Sequence, residues 1–367
     1  MTEGPLEGRG PSARSARKDE HVQLVLAGRR EAGPRPNDFD DVELVHHALD
    51  GVDPARVRLE AAVGPWRWAA PLYVNGMTGG SEATGRINRA LAIAARETGI
   101  PVASGSMSAA LDDPSTLPTF RVLRDENPDG FVLANLGADR TPDDALRAVE
   151  ALEANALQLH LNAAQETVMP EGSRGFDTWA ASIEAICEEV PVPVVVKEVG
   201  SGLSARTLTR LHGLGVQLAD VSGRGGTDFV GVENARRAGR DFGYLAGWGQ
   251  SAVCCLLDAP TPAPELLASG GVRSPLDVVR ALALGARAVG VAGTFLAVVV
   301  DGGAEAAVAE IRRWQEHLVA LLSLLGAPTP ADLATVDVLL LGRVLEFATL
   351  RGIDAGALTR RSDARSF

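Results

Sequence analysis

The stretch HLNAAQE, residues 160–166, places an imidazole, two amides and a carboxylate within one short segment. His160 and Asn162 are two apart, so they share a face if the strand before them continues, and Gln165 and Glu166 fall in the loop that follows. Glu166 has the chemistry for a hard divalent cation, because Mg²⁺ takes one carboxylate and completes its shell with water and phosphate oxygens. A loop carboxylate in plain water is the simpler alternative. Lys197 closes the apolar run PVPVVVKEVG, where a buried ammonium needs an anionic partner or a ligand. Its neighbour Glu198 would point to the opposite face of a strand, which makes a ligand contact the better reading. In SGGVRSP, Gly270 and Gly271 allow close backbone approach and Arg273 can neutralise charge, the composition of a phosphate-binding turn or of a tight turn alone. ARKDEH offers Arg17, Lys18 and His21, a basic cluster that reads as a solvated helix start or as an arm over a diphosphate. The adjacent His46 and His47 lack metal-ligand spacing and read as packing or hydrogen-bonding residues.

These groups need a scaffold, and the chain repeats one theme that could supply it. A short apolar run is followed by a Gly/Ser/Asn-rich turn and then by an Ala- and Leu-rich helical pattern. The runs begin at Pro71, Ile100, Gly130, Ala156, Pro191, Val216, Leu266 and Ala286, roughly every 30 residues. Eight βα units at that spacing predict a parallel (β/α)₈ barrel. The rival, a doubly wound open sheet, would carry GxGxxG in its first strand-to-helix turn, which is absent. Runs such as VPVVV and RAVGVAG are continuously apolar, as expected of strands buried on both faces. The strand ends read NGMTGG, SGSMS, ANLG, HLNAAQE, KEVG, SGRGGTD, SGGVR and VAGT, a polar ring suited to a large planar or phosphorylated ligand. Residues 1–16 are expected to be a mobile extension, 17–350 a single barrel domain with helical additions at both ends, and 351–367 a C-terminal tail. The segment 227–248 reads as a longer insertion and a lid.

With 367 residues and a formal charge of −12, the chain can bury a large core but lacks the basic surface of a nucleic-acid or acidic-membrane binder. Its longest apolar stretch, 289–300, is too short to span a bilayer and reads as strand plus helix. The amino terminus has charge where a signal peptide needs an apolar core. Three cysteines, Cys187, Cys254 and Cys255, form no CxxC pair, which points to a reducing cytoplasm rather than to disulfides or zinc.

Taken in order, RKDEH, MTGG, GSMS, HLNAAQE, VKEVG, DVSGRGGTDF and ASGGVR resemble type 2 isopentenyl-diphosphate Δ-isomerase, over residues 16–350. The resemblance implies an FMN-binding barrel that interconverts isopentenyl and dimethylallyl diphosphate, using reduced FMN, NADPH as reductant and Mg²⁺. It also implies a homotetramer or homo-octamer. Carried over position by position, the flavin contacts are Met77, Thr78, Gly79, Ser106, Asn135, Lys197, Ser222 and Thr227. The flavin phosphate falls to Gly271, Val272, Arg273, Ala292 and Gly293. Arg17 and Lys18 would hold the diphosphate, His160 and Gln165 would line the substrate as the catalytic pair, and Glu166 would bind Mg²⁺. Ser106, Met107 and Ser108 fall on the substrate side. The family commonly has Gln and Arg where this chain has Met107 and Ser108, so one diphosphate-pairing Arg is missing from its usual place.

Other FMN barrels fit less well. A 2-hydroxy acid oxidase would need a His beside an Arg near the sixth and seventh strands, and VSGRGGTD has none. An IMP-dehydrogenase-like enzyme would need a nucleophilic Cys in a mouth loop, whereas all three cysteines lie in helical patterns. A barrel that only binds flavin is the reading from a different class.

Overall fold

In the computed structural model, which describes residues 18–20, 22–27 and 36–364, eight parallel strands close into a barrel. They run at Leu72–Val74, Val102–Ala103, Val132–Gly137, Ala156–Leu161, Val194–Glu198, Leu218–Asp220, Glu265–Ser269 and Val289–Val291. Each pairs with the next, and the eighth returns to the first through Val291 opposite Val74. That closure establishes the (β/α)₈ fold and excludes the open sheet.

The period of two along each strand sorts the barrel interior into layers. The lowest layer is apolar: Tyr73, Leu133, Val195, Leu218 and Leu267 form one buried cluster. Two residues further along the same strands stand Asn75, Asn135, Lys197, Asp220 and Ser269, all buried and all polar. The apolar floor is closed from below by a hairpin, Ala61–Val63 paired with Trp66–Trp68. Its Trp68 packs edge-on to Tyr73 and Phe131, with centroids 5.6 and 5.5 Å away. A sealed floor directs every polar group of the interior toward the other mouth.

The additions brace the barrel rather than form a second core. Val42–Leu44 pairs antiparallel with Val338–Leu340, tying the segments before and after the barrel into one ribbon. Helix Glu82–Thr98 starts on a Ser81 capping box and stops at Gly99, whose φ of 70° suits a residue without a side chain. It packs against Gly293–Leu324, a helix broken at Gly303. The stretch 289–300 is therefore strand followed by helix, as its length suggested. The insertion at 227–248 contains helix Phe229–Arg236. Residues after 350 are folded onto the barrel through Arg361, which donates to the Ala283 carbonyl, and Ser362, which bonds Asp337. His47 takes the other side of Asp337 at 3.0 Å. Among the described residues no helix is long and apolar enough to cross a membrane. Residues 1–16 lie outside the described residues.

Candidate active site

The carboxyl ends of the strands enclose a cavity of about 770 Å³, a size that takes a cofactor together with a small substrate. One flank presents backbone rather than side chains. Gly270 and Gly271 hold φ of 92° and 81°, so the turn presents backbone where other residues would present side chains. Beside it, helix Gly293–Leu324 begins at Ala292 with no side-chain cap, so a helix N-terminus faces the same flank. Gly271, Val272, Arg273, Ala292 and Gly293 all line the cavity here.

Further round the wall come Met77, Thr78, Ser106, Asn135, Ser222 and Thr227. Thr78 Oγ1 is buried with no hydrogen-bond partner, and a polar atom so placed calls for one from a ligand. A Cβ on Gly105 would come within 2.5 Å of the Thr78 backbone nitrogen, so these two loops meet as bare backbone. An orphaned hydroxyl, a glycine-walled slot and an uncapped helix start together fit the edge, ring and phosphate of FMN.

Lys197 reaches this wall from the fifth strand, its Nζ donating to the Glu198 carbonyl at 2.7 Å. Burial pulls its pKa down, opposed by the charges of Asp220 and Glu198. The Glu198 carboxylate points the other way, as alternation requires, and accepts the N–H groups of Val199, Gly200 and Ser201. Burial raises its pKa against those three bonds.

A network under the cavity was not anticipated. Asp220, fully buried, accepts from the Tyr73 hydroxyl at 2.7 Å, Asn75 Nδ2 at 3.0 Å, Ser269 Oγ at 2.7 Å and the Ser222 N–H at 3.0 Å. Burial, then Asp220, pushes the Tyr73 hydroxyl well above its ordinary pKa. From Asn75 the chain of bonds continues through Gln158 and Asn135 to His160. The signal was present in the sequence as polar residues two apart in apolar runs: Tyr73 and Asn75, Gln158 and His160, Asp220 and Ser222.

The opposite flank gathers His160, Gln165 and Glu166 with Lys18 from the N-terminal helical segment. His160 is held neutral, its pKa lowered to about 3 by burial and then by the charges of Lys197 and Lys18, against a smaller contribution from the Leu136 carbonyl. The fourth strand ends at Leu161, and Asn162 instead starts helix Ala163–Val168. Its Nδ2 donates to Glu166 Oε1 at 2.9 Å, while Ser173 N–H donates to Oε2 at 2.7 Å. Glu166 offers one carboxylate to the cavity, which suits Mg²⁺ completed by water and substrate oxygens. Among the described residues no three His, Cys, Asp or Glu cluster as a protein-built metal site. Gln165 Nε2 donates to Glu233 Oε1 at 3.0 Å, a fully buried carboxylate also held by Arg236 at 2.5 Å. Arg236 further pairs with Glu20 at 3.2 Å and Glu171 at 3.1 Å.

Three expected contacts come out differently. Met107 is fully buried in the main core and does not line the cavity: GSMS bends into helix Ser108–Asp112, which turns Met107 inward and leaves Ser106 and Ser108 at the wall. Gly79 does not line the cavity: it lies behind the wall, where a Cβ would overlap the Phe120 ring. Arg273 reaches the cavity, but its guanidinium is already engaged by Asp40 at 2.6 Å and Asp277 at 2.9 Å. Arg17 and His21 lie outside the described residues.

The sequence profile of the FMN-dependent dehydrogenase family matches residues 150–339. The chain is 58% identical over 348 residues to the isopentenyl-diphosphate delta-isomerase of Kitasatospora griseola, covering 95% of each protein. It is 55% identical to that of Nocardia farcinica, covering 95% and 96%. With that of Staphylococcus epidermidis it shares 43% identity, covering 93% and 98%. Among solved structures, mandelate oxidase with (S)-2-phenylpropionate superposes with a TM-score of 0.63 at 19% identity, over 89% of this chain and 98% of that one. A lactate oxidase of Pediococcus acidilactici superposes with a TM-score of 0.63 at 16% identity, over 87% of each. Likeness at that identity shows the shared barrel alone.

Proposed function

The chain belongs to the family of FMN-dependent, type 2 isopentenyl-diphosphate delta-isomerases, and from that premise we propose that it interconverts isopentenyl and dimethylallyl diphosphate. The observation that carries the reading is a single cavity lined on one flank by Gly271, Ala292 and Thr78 and on the other by Lys18, Gln165 and Glu166. On this reading the flavin takes the first flank and the diphosphate, with Mg²⁺, the second. The reaction shifts a double bond by one carbon: one proton is added, another is lost, and there is no net redox change.

Thr78, Asn135, Lys197 and Ser222 would hold the FMN ring edge, and the turn at Gly271 with the helix start at Gly293 would take its phosphate. When bound and reduced, FMN supplies a proton-exchanging position and an electron-rich ring beside the substrate. Lys18, with Arg17 before it, neutralises the diphosphate, and Glu166 completes the anchor through Mg²⁺. His160 is uncharged at neutral pH, so it lines the alkene without adding a cation where positive charge develops. Gln165, a poor acid or base, is oriented by its bond to Glu233 and positions the substrate. NADPH serves as reductant, and the protein works in the cytoplasm as a homotetramer or homo-octamer.

The test is anaerobic conversion of isopentenyl diphosphate by the purified protein with FMN, NADPH and Mg²⁺, repeated with each omitted. Turnover that requires reduced FMN and Mg²⁺ is expected. Absence of turnover in flavin-loaded protein would replace this reading with a barrel that only binds flavin.

A further inference from the structure

Each hydrogen bond in the buried polar layer has a direction, and one residue fixes them all. Four donors converge on the two oxygens of Asp220, so it accepts throughout. Asn75 must therefore turn its amide nitrogen toward Asp220, where Nδ2 also donates to Ser269 Oγ at 3.0 Å. That leaves Asn75 Oδ1 as an acceptor, and it takes the Gly76 N–H at 2.8 Å and Gln158 Nε2 at 3.4 Å. Gln158, with no exposed surface, is then left with Oε1 for its other neighbour, Asn135 Nδ2, at 3.1 Å. Asn135 in turn presents Oδ1 to His160 Nδ1 at 3.0 Å. An amide has one donor end and one acceptor end, so an orientation imposed at the first is handed to the last.

We propose that Asp220 sets the tautomer of His160 across the barrel through Asn75, Gln158 and Asn135, keeping the proton on Nδ1 and Nε2 as a bare acceptor. Gln158 is the joint in the relay. It has no exposed surface and does not line the cavity, so it is a positioning residue acting through His160. The inference deepens the isomerase reading, since it is there that His160 lines the substrate. An acceptor at Nε2 takes a hydrogen bond from a water or an acid facing the alkene and cannot itself donate to a diphosphate oxygen.

Histidine-selective ¹⁵N labelling reads the tautomer directly in FMN-loaded protein, with His160→Gln assigning the signal. The wild-type ring is expected to show a pyrrole-type Nδ1 and a pyridine-type Nε2. Gln158→Leu cuts the relay in its middle and should yield a mixture of tautomers, with kcat lowered about tenfold and KM little changed. Asp220→Asn removes its source and should give the same mixture should the Leu variant not fold. A wild-type ring protonated at Nε2 and donating to the Leu136 carbonyl would overturn the inference, as would a Gln158→Leu protein whose His160 stays fully Nδ1–H. Because the labelled spectrum needs no turnover, a fixed tautomer in an inactive protein would count against the isomerase reading and leave the relay standing.

Discussion

Asn37 Nδ2 donates to the Gly271 carbonyl at 2.8 Å, joining residues 234 positions apart. The same side chain accepts the Phe39 N–H at 3.0 Å and so caps the short helix Asp38–Asp41. The turn expected to carry the flavin phosphate is therefore held from outside the barrel, by the segment that leads into it. Asn37→Ala should leave the barrel folded and weaken FMN binding five- to tenfold, about 1 to 1.4 kcal/mol for one lost hydrogen bond. A fluorescence titration of the apoprotein measures it, and an unchanged Kd would show that the turn holds itself.

Gly270→Ala strikes the same turn from inside. A Cβ there would overlap the Gly223 carbonyl oxygen, and φ of 92° is strained for any other residue. The expected product is barrel with native far-ultraviolet dichroism but at least tenfold weaker for FMN. Full flavin content after purification would argue against the phosphate assignment.

Glu166→Gln keeps the shape and the bond from Asn162 but removes the charge. FMN content should be unchanged, while turnover falls on the order of 100-fold and loses its response to added Mg²⁺. A variant with the wild-type Mg²⁺ titration curve would move the metal elsewhere.

The depressed pKa of His160 has a thermodynamic counterpart. Its ordinary value is 6.5 and its folded value about 3, so below 6.5 the unfolded chain takes up a proton that the native protein refuses. The neutral ring's contribution is thus complete above pH 6.5 and declines as pH falls toward 3. Between pH 7 and pH 5 the loss should approach about 2 kcal/mol, as the difference in denaturant stability between wild type and His160→Asn. The profile of kcat/KM should likewise show no limb near 6.5 from this residue. Such a limb, absent in the Asn variant, would mean that the ring titrates in water.

Stability away from the site rests in part on Arg124. Its guanidinium donates to the carbonyls of Asn127, Pro128, Gly130, Leu152 and Glu153 and to Asn155 Oδ1, without one carboxylate among them. Arg124→Met would strand these acceptors near the lower mouth. The expected loss is about 3 kcal/mol or more, seen as a lower Tm with FMN affinity intact at low temperature.

How far the sequence disclosed all this varies with the kind of residue. Val194–Glu198 and its seven counterparts were legible because a strand covered on both faces must be apolar throughout. Lys197 stood out because an ammonium ending such a run is costly without a partner. Asp220 and Gln158 escaped notice because one or two polar residues in a short run, even two apart, read as ordinary, and only closure of the barrel brings the four strands that carry the relay around one polar layer. Met107 was misplaced because a motif shared with relatives carries no information on which way its residues turn, and here a helix begins one residue later.

Arg236 bonds carboxylates on three separate pieces of chain: Glu20 ahead of the barrel, Glu171 after the fourth strand, and Glu233 on its own helix beyond the sixth. A single cation shared in this way makes the three pieces a latch with one pin. If Lys18 on the first piece holds the diphosphate as proposed, release of product would draw that piece away from the cation that also holds the other two. If that release limits turnover, added salt should speed the protein at saturating substrate even as it weakens substrate capture.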